Sequence, residues 1–225
     1  MELQSWLLYH LVLPDCNQVM QSPATGGGVY PAGGTGSRAR DLGLRAQKKL
    51  LGRFASTGTG RSFLIDDATT SLLDNLYKLM DKTAKQCPNV DKKQPEKVLK
   101  NIVKLSIKIG LLHRNQQLGP ADEEKIVEIR KSLRATAMAV ISFYELDYSF
   151  DKAYLTKSLE RCRSAIHSLI KPHLTDKSQD RCDLVFDFLT HPEFLDSVFR
   201  QNSEQKNTLG MLVTDINKAL DVGHL

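Results

Sequence analysis

The stretch "EKVLKNIVKLSIKIGLLHRN", residues 96–115, constrains the fold more than any other part of the chain. At 100° per residue, its apolar side chains cover most of the circumference of a helix. Lys97, Lys100, Lys104 and Lys108 are confined to one narrow stripe. A helix that is apolar nearly all round must be covered by other helices on several sides. This segment therefore predicts a helix in the middle of a bundle.

The segments on either side also have helical spacing. Leucines recur at this spacing after Asp66 and Asp67, either of which suits the N-cap of a helix. Pro120 suits the first turn of a later helix, Pro172 ends the next one, and Gly223 suits the end of the last one. No convincing strand, hairpin or fixed-period repeat is found. Because the linkers are mostly short, the chain is predicted to be all-α, an antiparallel bundle of about six helices.

The first residues differ from the rest in composition. Residues 14–37 are rich in Gly, Pro, Ser and Thr, which bury too little apolar surface to fold. We therefore expect a disordered tail over residues 1–37 and one domain over residues 38–225. The apolar run "WLLYHLVL" lacks the positive flank of a signal peptide. No run approaches the ~20 apolar residues of a membrane-spanning helix, so any membrane contact is expected to be peripheral.

Residues 43–54, "GLRAQKKLLGRF", combine cations with apolar side chains. On a helix, Lys48, Lys49 and Arg53 share one arc, and the leucines and Phe54 lie on roughly the opposite one. This short basic amphipathic helix suits an anionic membrane surface or a calmodulin-type groove. An ordinary edge helix with solvated lysines explains the pattern equally well.

The sequence contains no recognisable catalytic or metal-binding motif. The four cysteines lack zinc-type spacing, which favours a reduced intracellular protein, and the six histidines show no metal-ligand pairing on one helix. A nucleophile elbow, a P-loop and a dinucleotide fingerprint are all missing. We therefore expect no enzyme, no catalytic residue, no metal and no cofactor. The net charge of +5 favours anionic partners, but without a helix-turn-helix signature or an aromatic platform nucleic acid is not expected.

Two arginines stand near a predicted helix hairpin. Arg114 lies where the apolar helix ends, and Arg130 lies in the third turn of the next helix, after the connection "NQQLG". Both can face the same end of the bundle, where two guanidinium groups suit a phosphate. The alternative is that each is a surface cation near a helix end, and spacing alone favours this alternative.

Ordered blocks along the chain resemble a known family. "LRAQKKLLGR", "LIDDATTSLLDNLYKL", "IKIGLLHRNQQL", "AMAVISFYELDYSFD" and "INKALD" occur in this order between about residue 38 and residue 225. Together they resemble the TIPE family, the proteins similar to tumour necrosis factor-α-induced protein 8. The resemblance implies about six antiparallel helices around a central hydrophobic cavity for acyl chains, preceded by a short basic amphipathic helix. Two acids of the family's usual "DDTSSEVLDELY" are missing from "DDATTSLLDNLY", which puts in doubt any partner interface built on that surface.

The resemblance also implies a function. It indicates a phosphoinositide- or phospholipid-binding and transfer protein that regulates apoptosis, cell survival and immune homeostasis, with Arg114 and Arg130 on the headgroup. Lys48, Lys49 and Arg53 would dock on the membrane, and a cytoplasmic protein would associate transiently with the inner face of the plasma membrane. Other signalling proteins are possible partners, and the alternative is a cell-death adaptor that carries no lipid. The candidate cavity-lining residues are Leu76, Ile102, Val103, Leu105, Ile109, Leu112, Ile126, Leu133, Met138 and Ile141.

Overall fold

The computed structural model describes residues 67–146 and 149–221. These residues form helices with short connections and contain no strand, so the all-α prediction is confirmed. The domain boundary at residue 37/38 and the basic helix at residues 43–54 lie outside the described residues and stay predictions. The helices are α1 (Asp67–Gln86), α2 (Gln94–Arg114), α3 (Pro120–Glu145), α4 (Lys152–Ile170), α5 (Asp176–Leu189), α6 (Pro192–Phe199) and α7 (Lys206–Asp221).

Local sequence signals set several helix ends. Pro120 is in the first turn of α3, as predicted, where its missing N–H costs nothing. Asp151 caps α4 by accepting a hydrogen bond from the Tyr154 N–H. α4 ends at Ile170, shortly before Pro172. α2 ends in a left-handed turn at Gln116, whose φ is 53°.

Six of the helices form a closed ring. Going round it, the neighbours are α1, α2, α5, α4, α3 and α7, and α7 packs against α1 again. Contacts across the pairs show that neighbours run antiparallel. Along α1 and α7, Ser71 bonds Asp215 while Lys82 bonds Thr208. The first and last described helices therefore close the ring.

Because neighbours alternate in direction, the ring has two distinct ends. The "α6 end" contains α6 and the connections at residues 87–93 and 200–205, and α6 packs there against α1, α4, α5 and α7. The "hairpin end" contains the connections at residues 115–119 and 171–175, which join α2 to α3 and α4 to α5.

The apolar helix α2 lies in the wall of this ring, between α1 and α5, and not at its centre. The prediction of a central helix was therefore wrong in position but right about burial, since Val98, Leu99, Ile102, Val103 and Ile107 are at most 1 % exposed. A ring around an axial space covers each wall helix on two flanks and on its inner face. On the lysine stripe of α2, Lys97 is exposed, whereas Lys100, Lys104 and Lys108 are half-buried.

Candidate functional site

The axis of the ring contains an apolar hollow. All seven described helices contribute to its wall, and every lining side chain is Leu, Ile, Val or Phe. The wall therefore offers no hydrogen-bond partner and suits only hydrocarbon. The lining residues are Leu76, Leu79, Ile102, Leu133, Val140, Leu155, Leu159, Phe186, Leu189, Phe194, Leu195, Val198, Phe199, Leu209 and Leu212.

The hollow lies towards the α6 end, and α6 closes it there. α6 is amphipathic over only two turns: Phe194, Leu195 and Val198 face the hollow and are at most 4 % exposed. Glu193 and Asp196 lie on its other face. The sequence analysis assigned no role to this short segment, although its apolar residues at positions i, i+1 and i+4 indicate one buried face.

The hollow is narrow. Its volume is about 60 Å³, which is room for only a few water molecules. An engineered apolar cavity of about 150 Å³ is known to admit benzene. The expected cavity for acyl chains is thus present as an apolar space on the axis, but it is too small to hold one without widening. A small hollow is consistent with a stable fold, because cavity volume in a core costs stability.

The predicted cavity residues fall in different layers of the bundle. Leu76, Ile102 and Leu133 line the hollow. Met138 does not line it, because it lies on the outward face of α3 and is 47 % exposed. The others are buried in the core but do not line this hollow: Val103, Leu105, Ile109, Leu112, Ile126 and Ile141.

The two predicted headgroup arginines lie away from the hollow. Arg114 is the last residue of α2, is exposed, and follows Ile102 by twelve positions, which is about 18 Å along the helix. Arg130 is half-buried on α3 and only three positions before Leu133, about 4.5 Å along the axis. Both are on the hairpin-end side of the hollow, and neither is among its lining residues. The membrane-docking residues Lys48, Lys49 and Arg53 lie outside the described residues.

The hairpin end also gathers cations that sequence reasoning did not single out. The Lys108 ammonium donates a hydrogen bond to Ser178 Oγ at 2.6 Å, between α2 and the start of α5. Burial lowers the pKa of Lys108, and the neighbouring charges of Arg181 and Lys177 lower it further. The i, i+4 spacing of Lys177 and Arg181 on α5 was a signal in the sequence that they share a face. Three cations, Lys108, Lys177 and Arg181, therefore lie close together at this end.

Asp122 fastens the same end. Its carboxylate accepts hydrogen bonds from the Gly119 N–H at 3.1 Å and the Lys125 ammonium at 2.9 Å, and it contacts His173 Nε2 at 3.0 Å. These contacts tie the start of α3 to the connection between α4 and α5. The bonds from Lys125 and Gly119 lower the pKa of Asp122 from 3.8 to about 2.

The α6 end has a second, polar space, which we call the α6 cleft. It is about 630 Å³ and lies on the outer side of α6. The pattern of no single helix predicts this cleft, because its wall comes from the end of α1, from α6 and from the connection to α7. The cleft is lined by Gln86, Cys87, Pro88, Glu193, Asp196, Ser197, Arg200, Asn202, Ser203 and Glu204.

Other types of site are not found in the described part of the chain. Residues 67–146 and 149–221 contain no group of three His, Cys, Asp or Glu side chains arranged to hold a metal ion. Over the same residues, no helix is both long and apolar enough to cross a bilayer. The structure thus defines an all-α helical bundle with an apolar axial hollow.

A family model described as "Tumor necrosis factor alpha-induced protein 8-like" matches residues 37–223, and the chain belongs to this family. The predicted resemblance is thereby confirmed. The match covers all of the described residues and continues to residue 37 on the N-terminal side.

Curated relatives agree with this assignment. The chain is similar to the "Tumor necrosis factor alpha-induced protein 8-like protein" of Drosophila pseudoobscura pseudoobscura and to "Protein salivary glands marred" of Drosophila melanogaster. Each is 42 % identical over 188 residues, which is 84 % of this chain and 97 % of the relative. "Tumor necrosis factor alpha-induced protein 8" of Homo sapiens is 37 % identical over 183 residues, 81 % of this chain and 89 % of the relative. None of these names states a catalytic activity.

Proposed function

We propose that this chain is a lipid-binding and transfer protein that takes acyl chains of phosphoinositides or other anionic phospholipids into its axial hollow. The observation that carries the proposal is the wall of the hollow, which is entirely apolar and built from all seven described helices. Each Å² of hydrocarbon that leaves water contributes about 25 cal/mol. An acyl chain therefore supplies the free energy that widens the hollow.

The headgroup is held at the hairpin end in this proposal. Arg114 and Arg130 lie on that side of the hollow, and Lys108, Lys177 and Arg181 add three cations at the same end, which favours an anionic group. Lys48, Lys49 and Arg53 dock the protein on the inner face of the plasma membrane from a cytoplasmic pool. The family's link with tumour necrosis factor supports a role in apoptosis, cell survival and immune regulation.

Vesicle binding tests the docking residues. Lys48→Ala with Lys49→Ala should weaken co-sedimentation with phosphoinositide-containing vesicles about 10- to 30-fold at low salt, since each cation near an anionic surface contributes about 1 kcal/mol. The matched control is Lys92→Ala with Lys93→Ala, another exposed lysine pair, at the α6 end. Equal binding of the two double variants would reject the docking role.

Lipid carriage itself is tested on the purified full chain. Native mass spectrometry should show the mass of a co-purified phospholipid, and Arg114→Glu should slow the transfer of a labelled phosphoinositide between vesicles while leaving the helical circular dichroism signal unchanged. Undiminished transfer by Arg114→Glu would contradict the headgroup assignment. Absence of any lipid adduct and of any transfer would contradict lipid carriage.

The second candidate is a cell-death adaptor that binds other signalling proteins and no lipid. The small volume of the hollow, about 60 Å³, favours this reading, because a nearly filled core needs no ligand. Native mass spectrometry and the transfer assay distinguish the two candidates, because an adaptor neither co-purifies with a phospholipid nor transfers one between vesicles.

A further inference from the structure

Three cations lie together at the contact between α2 and α5. Lys108 on α2 donates a hydrogen bond to Ser178 Oγ at 2.6 Å, and Ser178 lies in the first turn of α5. Lys177 and Arg181 lie on either side of Ser178 in the chain, and the charge of each acts on Lys108. Lys177 is exposed, and Lys108 and Arg181 are half-buried. An anion can therefore reach all three cations from solvent.

The carboxylates nearby do not neutralise this cluster. Within residues 67–146 and 149–221, none of the three cations forms an ion pair with a carboxylate. The same two turns of α5 contain two acids, Asp176 and Asp180. Asp176 accepts a hydrogen bond from Gln179 Nε2, and Asp180 is exposed. The cluster therefore keeps its positive charge and its capacity to bind an anion.

The ammonium group of Lys108 gains from a nearby negative charge. Burial lowers its pKa most, and the like charges of Arg181 and Lys177 lower the pKa further. A bound anion counteracts that repulsion, because an opposite charge favours the protonated form. The hydrogen bond to Ser178 uses one of three ammonium donors, so two remain for a ligand. The planar guanidinium of Arg181 can bind two oxygens of one phosphate.

The cluster is distinct from the two predicted headgroup arginines. Lys108 precedes Arg114 by six positions on α2, which is about 9 Å along the helix and about 120° around it. Arg130 is on α3, which lies across the ring from α2. A phosphate held by the cluster is therefore a different group from one held by Arg114 and Arg130.

We propose that Lys108, Lys177 and Arg181 form a binding site for a phosphomonoester group, carried by a soluble phosphate ester or by a lipid headgroup. A phosphomonoester has a charge of about −1.5 to −2 at pH 7 and three strong acceptor oxygens, so it can bind all three cations, whereas a carboxylate has one charge and two oxygens. In the proposed function these cations only favour an anionic group at their end, whereas here they contact the phosphate. The site needs no acyl chain in the axial hollow, so it does not depend on lipid carriage.

Isothermal titration calorimetry of the full chain with inositol trisphosphate tests the site, because all phosphates of this soluble probe are phosphomonoesters. Lys177→Gln with Arg181→Gln should weaken binding at least about tenfold, the effect expected when charge-assisted hydrogen bonds to phosphate are lost. Lys177 is exposed and Arg181 is half-buried without an ion pair among the described residues, so the helical circular dichroism signal should be unchanged.

The matched control is Lys157→Gln with Arg161→Gln. This pair has the same residue types and the same i, i+4 spacing, and both of its residues are exposed on α4. Because the loss of net charge is equal, binding by the control should stay at the wild-type value if the cluster is a site. Equal binding by the two double variants overturns the site. The site is also overturned if Arg114→Glu abolishes binding of the probe while Lys177→Gln with Arg181→Gln retains it.

Vesicle co-sedimentation distinguishes the two sources of the phosphate. If Lys177→Gln with Arg181→Gln binds phosphoinositide-containing vesicles more weakly than the control, the site takes a lipid headgroup. If only binding of the soluble probe is weakened, the site takes a soluble phosphate ester. Lipid transfer by a wild-type protein that does not bind the probe overturns the site and leaves the proposed function standing. Binding of the probe without a lipid adduct or transfer supports the site and contradicts lipid carriage.

Discussion

The two ends of the helical ring are built differently. The hairpin end is tied together by the contacts of Asp122 and contains the cations around Lys108. The buried side chains at this end do not line the hollow. The α6 end is closed by a helix of two turns, with the hollow inside it and a larger polar cleft outside it. The comparison shows that the charged contacts between connections lie at one end of the bundle, whereas its unfilled volume lies at the other.

The largest effect expected from this difference is in the free energy of unfolding. Leu169 and Leu159 are both on α4 and both 0 % exposed, but only Leu159 lines the hollow. Leu169→Ala should cost about 4 kcal/mol, and Leu159→Ala about 3 kcal/mol, because a side chain beside a void already has fewer packing partners to lose. Urea unfolding of the two variants measures both costs. Equal costs would mean that the two ends are packed alike.

An intermediate effect is expected from the carboxylate that fastens the hairpin end. Asp122→Asn should lower stability by about 1–2 kcal/mol at pH 7, a value reduced for partial solvent screening. Since the folded pKa is lowered from 3.8 to about 2, the stabilisation is full above pH 3.8 and is lost as pH falls through 2. Chemical unfolding of wild type and variant between pH 7 and pH 2 should give curves that converge at the acid limit. A difference that stayed constant with pH would exclude ionisation of Asp122 as its cause.

The smallest effect is expected at the two residues with left-handed backbone. Gln116 at the hairpin end has a φ of 53°, and Asn202 at the α6 end has a φ of 59°. Gln116→Gly should raise stability by about 0.5–1 kcal/mol, whereas Asn202→Gly should change it by about 0.3 kcal/mol or less, because Asn tolerates this region. Thermal unfolding at pH 7 compares the two variants. A larger gain at position 202 would show that the α6 end stores the greater backbone strain.

The sequence predicted an all-α bundle but not which of its buried residues line the hollow. The helical spacing of the leucines, the proline positions and the all-round apolar surface of residues 96–115 were enough for an all-α bundle, because each depends on neighbours within one helix. Whether a buried residue lines the hollow depends on its position along the axis of the ring and on how the six other helices pack around it. Leu133 and Ile129 are both buried on α3, but only Leu133 reaches the hollow.

The α6 cleft was missed for a related reason. Glu193 and Asp196 lie on α6 and Glu204 lies in the connection to α7. Gln86 and Cys87, at the end of α1 and just after it, line the same cleft from more than 100 positions away. A pattern within one segment cannot predict that residues so far apart in the chain line the same cleft. Met138 shows the opposite error, since an apolar residue within a helical pattern was assigned to the interior and lies on the surface.

Ring closure has a consequence for biosynthesis. Ser71 and Asp215, which bond each other across α1 and α7, are 144 positions apart. During translation the gap between α3 and α1 therefore remains unfilled until α7 has left the ribosome. Until then the inner side chains of α1 and α3 lack the helix that covers them, so the nascent chain exposes apolar surface that chaperones can bind before the ring closes.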